Sequence, residues 1–196
     1  MIMIFIYRFL INIILLISPF IVFIRIMKKK ESITRFKEKF CFFSHKKVNG
    51  NTIWFHGASV GELQSIIPLI EKIEKNKFVK NILVTSNTLS SSKVIKKFKF
   101  KKVIHQFFPI DTKGFSDKFL DYWKPSSAFF IDSEIWPNMI INLNKRKIPI
   151  SLINARITKK SYKRWKIFPD FSKKLFSKFN FCFSASKSSK KLLKKL

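Results

Sequence analysis

The 196-residue chain reads as an α/β protein, a Rossmann-like and mostly parallel sheet behind an N-terminal membrane helix. Three observations carry that reading. From Thr52 onward, six short β-rich runs alternate with stretches whose apolar residues recur at helical spacing, the rhythm of strand–helix units that cover a parallel sheet on both faces. Acids, amides and an arginine collect just past the ends of those runs, where open α/β sheets bind their ligands. Before Thr52 lies an uncharged apolar stretch, Phe9 to Ile24, whose composition suits lipid.

In chain order, Met1 to Met27 is apolar apart from Arg8, Asn12, Ser18 and Arg25, and Lys28-Lys29-Lys30 follows at once. The uncharged run falls slightly short of the ~20 residues that span a bilayer. Arg8 must therefore snorkel, or the helix lies as a shallow anchor bent at Pro19. No small-x-small cleavage site follows, which argues against a removed signal peptide. The lysine cluster predicts that everything after it stays in the cytoplasm. Residues 28–51 form a basic aromatic linker helix, with Phe36, Phe40, Phe42 and Phe43 among Arg35, Lys37 and Lys39. That mixture suits either a lipid headgroup zone or an amphipathic helix packed on the domain.

Residues 52–196 make the globular domain, with strands expected at Thr52–Phe55, Asn81–Thr85, Val103–Phe107, Ser127–Ile131, Pro149–Ile153 and Asn180–Phe183. After the first, Trp54-Phe55-His56-Gly57-Ala58-Ser59-Val60-Gly61-Glu62 breaks into a glycine-containing turn, and Leu63, Ile66, Ile67, Ile70 and Ile73 continue at helical spacing. Ser59-x-x-Glu62 is a capping box, in which the two side chains satisfy N–H groups of the first helical turn. It also delivers a carboxylate to a strand-to-helix turn, where it can serve as a base. Both roles can coexist, although a carboxylate folded back on its own helix is less free to take a proton. Gly57 and Gly61 fit neither the dinucleotide nor the P-loop pattern.

Thr85-Ser86-Asn87-Thr88 and Pro109-Ile110-Asp111 read as turns and caps. Asp132-Ser133-Glu134-Ile135-Trp136-Pro137-Asn138 puts two acids in another strand-to-helix turn, with Pro137 suited to the first helical position. One acid can serve the helix dipole; two, in a chain with only 11 acids, call for a further role. Asn154-Ala155-Arg156 follows the fifth strand. Arg156 can grip a phosphate or carboxylate bidentately, or pair with Asp132 or Glu134 across the sheet top.

Composition narrows the partners. Forty Lys and Arg against 11 acids give a formal charge of +29, which by itself points to nucleic acid. The lysines are dispersed through every segment with abundant Phe, Ile and Asn, so no selected basic face is evident and nucleic acid is not expected. Anionic membrane lipid is the better match. Cys41 and Cys182 are far apart and make no ligand-like spacing with the three histidines; both read as reduced thiols, and no metal site is expected.

Taken together and in this order, the anchor, the linker ending near His45, Ser59-Val60-Gly61-Glu62, Ile131-Asp132-Ser133-Glu134-Ile135-Trp136-Pro137-Asn138, Lys147-Ile148-Pro149 and Asn154-Ala155-Arg156 resemble the N-terminal half of the 3-deoxy-D-manno-octulosonic acid (Kdo) transferases of lipopolysaccharide assembly. The resemblance implies the N-terminal domain of a GT-B glycosyltransferase at the cytoplasmic side of the inner membrane, receiving the lipid A precursor (lipid IVA). A C-terminal domain holds the donor CMP-Kdo, and no cofactor is implied. It further implies Glu62 as proton acceptor, Asp132 as transition-state stabiliser, and Ser59, Gly61, Glu134, Asn138, Asn154 and Arg156 as substrate-binding residues. The family has glutamate at the position of Asp132, and one methylene less can displace a catalytic group by about an ångström, a loss on the order of 10²-fold in rate. The donor-binding domain is expected to be absent from this chain and supplied, if at all, by a separately encoded C-terminal half. The alternative function is a catalytically inactive, membrane-tethered lipid A-binding protein.

Overall fold

The computed structural model describes residues 2–46 and 49–196; Met1 of the expected anchor and Lys47 and Val48 of the expected linker lie outside the described residues. Strands β1 (Thr52–His56), β2 (Asn81–Ser86), β3 (Val103–Phe107), β4 (Ser127–Ile131), β5 (Ile150–Ala155) and β6 (Phe181–Ser184) form one sheet in the order β3-β2-β1-β4-β5-β6. Every pairing is parallel. The expected strands are all present, β3 and β4 with the expected bounds and the other four shifted by one or two residues. The order reverses between β1 and β4, so a crevice opens at their carboxyl ends, the place where such sheets bind ligands.

Both faces of the sheet are covered over β1 to β5, as the apolar character of those strands requires, while Phe181 and Phe183 of β6 are exposed. Successive side chains of one strand point to opposite faces. Trp54 therefore joins Phe119, Phe130, Met139 and Leu143 in one core layer, while Phe55 joins Leu63, Ile67, Ile70 and Val84 in the other. Helices α4 (Lys113–Trp123), α5 (Pro137–Lys145) and α7 (Pro169–Phe176) supply the first layer, and α2 (Val60–Glu74) and α3 (Leu89–Lys97) the second. Helices α6 (Lys159–Lys166) and α8 (Lys187–Leu193) flank the β5–β6 side.

The linker departs from the expected helix. Among its described residues it forms one turn of 3-10 helix, Phe36–Phe40, and is otherwise irregular. The cause is tertiary. Buried Glu38 accepts the Phe107 backbone N–H at 2.7 Å and a two-pronged pair from Arg35 at 2.7 and 2.9 Å, while Arg35 also donates to the His105 carbonyl at 2.7 Å. A continued helix would pull these groups off the end of β3. Phe43 stacks on Tyr122 with ring centroids 3.7 Å apart. Of the two roles foreseen for this stretch, packing on the domain is the one realised by these contacts.

Helix α1 (Ile2–Met27) runs uninterrupted through Pro19. Proline has no N–H for the carbonyl four residues back, and the Ser18 hydroxyl takes over that Leu15 carbonyl at 2.7 Å. The helix is tied to the rest of the protein at two places, to the domain near its start and to the linker near its end. Near its start, Tyr7 donates to Asp111 Oδ2 at 2.8 Å and Arg8 to Asn138 Oδ1 at 2.9 Å. Near its end, Arg25 donates to buried Glu31 at 3.2 Å. Tyr7 and Arg25 are about 27 Å apart along the helix axis, so α1 lies along the protein. It leaves a broad apolar face, with Phe5, Phe9, Leu16, Phe20 and Phe23 all more than half exposed.

Candidate active site

The β1–α2 turn forms one wall of the crevice. Gly57 is buried, and a Cβ placed on it would lie 3.1 Å from Glu62 Cβ, 3.1 Å from Leu63 Cδ2 and 3.3 Å from Ile131 Cδ1, so any larger residue makes the start of α2 or Ile131 give way. Ser59 is the N-cap, extended at φ −111° and ψ 165°. Its Oγ accepts the Glu62 N–H at 3.3 Å and donates to Glu62 Oε1 at 2.6 Å. Glu62 Oε2 accepts the Ala58 N–H at 2.7 Å. The capping geometry is therefore formed, and it fixes the carboxylate at the mouth of the turn. Each oxygen has a second lone pair beyond the bond it accepts here. Beside it Gly61 is exposed, and nothing lies within 4 Å of where its Cβ would be, which leaves a ligand room to approach.

The β4–α5 and β5–α6 turns form the facing wall. Asp132 has φ +61° and Asn154 φ +52°, left-handed conformations that Asp and Asn accept more readily than other side chains. Asn154 coincides with a register shift between β5 and β6. Backbone bonds lace the two turns together: Asp132 N–H to the Ile153 carbonyl at 3.0 Å and Arg156 N–H to the Asp132 carbonyl at 3.3 Å. The Arg156 guanidinium is 3.8 Å from Asp132 Oδ2 and its side chain is 64% exposed, a loose pair that leaves most of the guanidinium open. Asp132, Ser133, Arg156 and Ser161 line a cleft of about 110 Å³.

Glu134 belongs to a network that no local pattern of residues reveals. Trp54 Nε1 donates to Thr85 Oγ1 at 2.9 Å; Thr85 Oγ1 lies 2.9 Å from His56 Nδ1; His56 Nε2 lies 3.1 Å from Glu134 Oε2; and Trp136 Nε1 donates to the same oxygen at 2.8 Å. Trp136 Nε1 also lies 3.1 Å from His56 Nε2, so imidazole, indole and carboxylate close into one cluster. The fully buried imidazole is stacked on Phe108 at 4.0 Å. Burial alone would raise the Glu134 carboxyl, but the hydrogen bond and charge of His56 and the Trp136 N–H outweigh it and hold the group below its usual range.

Asn138 stands apart from the other expected site residues. It is fully buried; its Nδ2 donates to the Asp111 carbonyl at 2.6 Å and its Oδ1 accepts from Arg8. Its backbone N–H and that of Met139 are taken by the Asp111 carboxylate at 2.9 and 2.8 Å. The structure thus gathers Ser59, Gly61 and Glu62 on one side of the β1–β4 crevice and Asp132, Glu134, Asn154 and Arg156 on the other, and places Asn138 in the joint beneath α1. Among the described residues no group of three His, Cys, Asp or Glu side chains is placed to hold a metal ion.

The family described as 3-deoxy-D-manno-octulosonic-acid transferase (kdotransferase) matches residues 34–196. A probable 3-deoxy-D-manno-octulosonic acid transferase of Arabidopsis thaliana is 39% identical over 72% of this chain and 32% of its own length. The 3-deoxy-D-manno-octulosonic acid transferase of Rickettsia bellii is 41% identical over 82% of this chain and 38% of its own. The chain thus spans about a third of the length of these relatives. Among solved structures, a UDP-N-acetylglucosamine 2-epimerase from Neisseria meningitidis superposes with a TM-score of 0.51 at 15% identity, over 72% of this chain and 42% of that one, a likeness of fold alone. With the site's motifs lying inside the matched residues, the chain belongs to the 3-deoxy-D-manno-octulosonic acid transferase family.

Proposed function

We propose that the chain is the acceptor-binding half of a transferase that moves Kdo from CMP-Kdo to lipid IVA. The observation that carries this is the Glu62 carboxylate, fixed by the Ala58 N–H and the Ser59 hydroxyl beside the β1–β4 crevice. An acceptor hydroxyl loses its proton to Glu62 as its oxygen attacks the anomeric carbon of Kdo; the bond from that carbon to the CMP phosphate oxygen breaks, and CMP leaves with the electron pair. Asp132, on the facing wall, offers negative charge to the positive character that develops on the sugar. Arg156 takes a phosphate of the acceptor. Ser59, Gly61, Glu134 and Asn154 shape the space between them.

We infer attachment to the cytoplasmic face of the inner membrane, a reading that α1 supports. Tied to the domain near its start and to the linker near its end, the helix lies in the plane of the membrane, its exposed apolar face in one leaflet and Lys28, Lys29 and Lys30 among the headgroups. The chain should stay with membranes through carbonate extraction and be protected from protease added to spheroplasts.

The chemistry is tested with purified chain, CMP-Kdo and the tetraacyl precursor. Alone, the chain should release no CMP above background, since near-attack geometry needs both substrates held; adding the donor-binding half of a relative, in trans or fused, should start release. Robust turnover by the isolated chain would overturn the division of labour. Precursor binding without CMP release in the two-part system would instead identify a membrane-tethered binding protein.

A further inference from the structure

A cavity of about 580 Å³ opens between the first turn of α1 and α7, within the ~300–1,000 Å³ range of small-molecule pockets. Ile4, Ile141 and Phe171 form its walls, and Lys174 and Lys178 border it with a single acid, Asp170. Lys178 donates to Asn144 Oδ1 at 3.2 Å and has further N–H donors to offer. None of the lining residues belongs to the crevice between β1 and β4.

The mouth tells which phase the occupant comes from. Ile2 and Ile167 line it and are 75% and 66% exposed. Ile2, Phe5 and Phe9 fall on one face of α1 at spacings of three and four, and all three are more than 60% exposed, so the lip of the cavity continues into the apolar face of the helix. An apolar slot with an apolar lip and lysines beside it is complementary to an alkyl chain bearing a negative head.

We propose that this cavity holds one acyl chain of an anionic phospholipid drawn from the surrounding bilayer, with the phosphate at Lys174 and Lys178. The lipid wedges between α1 and α7 and couples the membrane helix to the body of the domain. The site does not depend on the transferase activity, because it shares no residue with the crevice.

The test uses the full chain reconstituted in phosphatidylcholine vesicles doped with phosphatidylglycerol that carries a photoactivatable acyl chain, followed by mapping of the labelled peptides. Adducts are expected on Ile141 and within residues 167–178, several-fold above those from equally doped photoactivatable phosphatidylcholine. The double substitution Lys174→Glu, Lys178→Glu should lower them to the phosphatidylcholine level while labelling along α1 persists; Ile141→Trp should fill the slot and remove them. The lysine pair is on the surface, so that variant decides even where Ile141→Trp fails to fold. Adducts confined to α1, equal labelling by the two lipids, or displacement of the label by one equivalent of tetraacyl precursor would overturn the proposal, the last by making the cavity part of the acceptor's site.

Discussion

At the scale of single residues, short-range chemistry was legible and long-range chemistry was not. Ser59 and Glu62 are three positions apart, and their capping pattern is closed in the structure. His56 and Glu134 are 78 positions apart, and a histidine inside an apolar strand carries no periodic signal that would pair it with an acid. Two predictions belong here. His56→Phe keeps the ring stack on Phe108 but removes a donor to Glu134 and leaves Thr85 without its partner, a loss of about 1–3 kcal/mol by chemical denaturation. Because the Glu134 carboxyl is held below its usual range, the unfolded chain binds more protons in the window just below the ordinary glutamate pKa. The wild type therefore gains stability as pH rises through that window, and His56→Phe should flatten the slope. Gly57→Ala brings a methyl against Glu62, Leu63 and Ile131; it should cost about 1–3 kcal/mol and, by displacing Glu62, reduce turnover of the two-part enzyme by on the order of 10²-fold.

At the scale of elements, strands and helices followed from local pattern, and the failures came where tertiary contacts override it. Thr88 caps α3 and Pro137 opens α5 as the sequence suggested. The linker did not become a helix because Glu38 and Arg35 bind the end of β3, contacts some 70 residues away along the chain. The joint of α1, Asp111 and α5 was equally hidden. Asp111 is fully buried; burial raises its carboxyl, bonds from Tyr7, Asn138 and Met139 pull it back, and the balance lies at about 7 against 3.8 for a free aspartate. Between those values the folded chain holds a proton that the unfolded chain has lost, so this group's stabilisation is complete below pH 3.8 and fades as pH rises through about 7. Its slope is opposite in sign to that of Glu134. Melting temperatures of Asp111→Asn protein in detergent should lack this decline between pH 4 and 7, and a decline as steep as the wild type's would remove Asp111 from the joint.

At the scale of the whole molecule, the strand order β3-β2-β1-β4-β5-β6 sets the turns after β1 and β4 at the carboxyl ends of neighbouring strands, and our proposal assigns Glu62 and Asp132 of those turns to one site. The α/β class was legible because β1 to β5 are largely buried and each strand is followed by a helix, whereas the path of α1 along the protein was not, since it depends on Tyr7 and Arg8 meeting Asp111 and Asn138, more than 100 positions away. The basic composition stands against only 11 acids; Glu31, Glu38, Glu74, Asp111, Asp117, Asp121 and Glu134 each pair with a cation, a histidine or backbone N–H groups, and Glu62 and Asp132 stand past the ends of β1 and β4. The most direct measurement is CMP release by the two-part enzyme carrying Glu62→Gln, compared with its melting transition. Glutamine keeps the size and can still cap α2 but cannot accept the proton, so turnover should fall by ~10²–10⁴-fold while the melting temperature holds. Turnover close to that of the wild type would confine Glu62 to capping and contradict its assignment as the base.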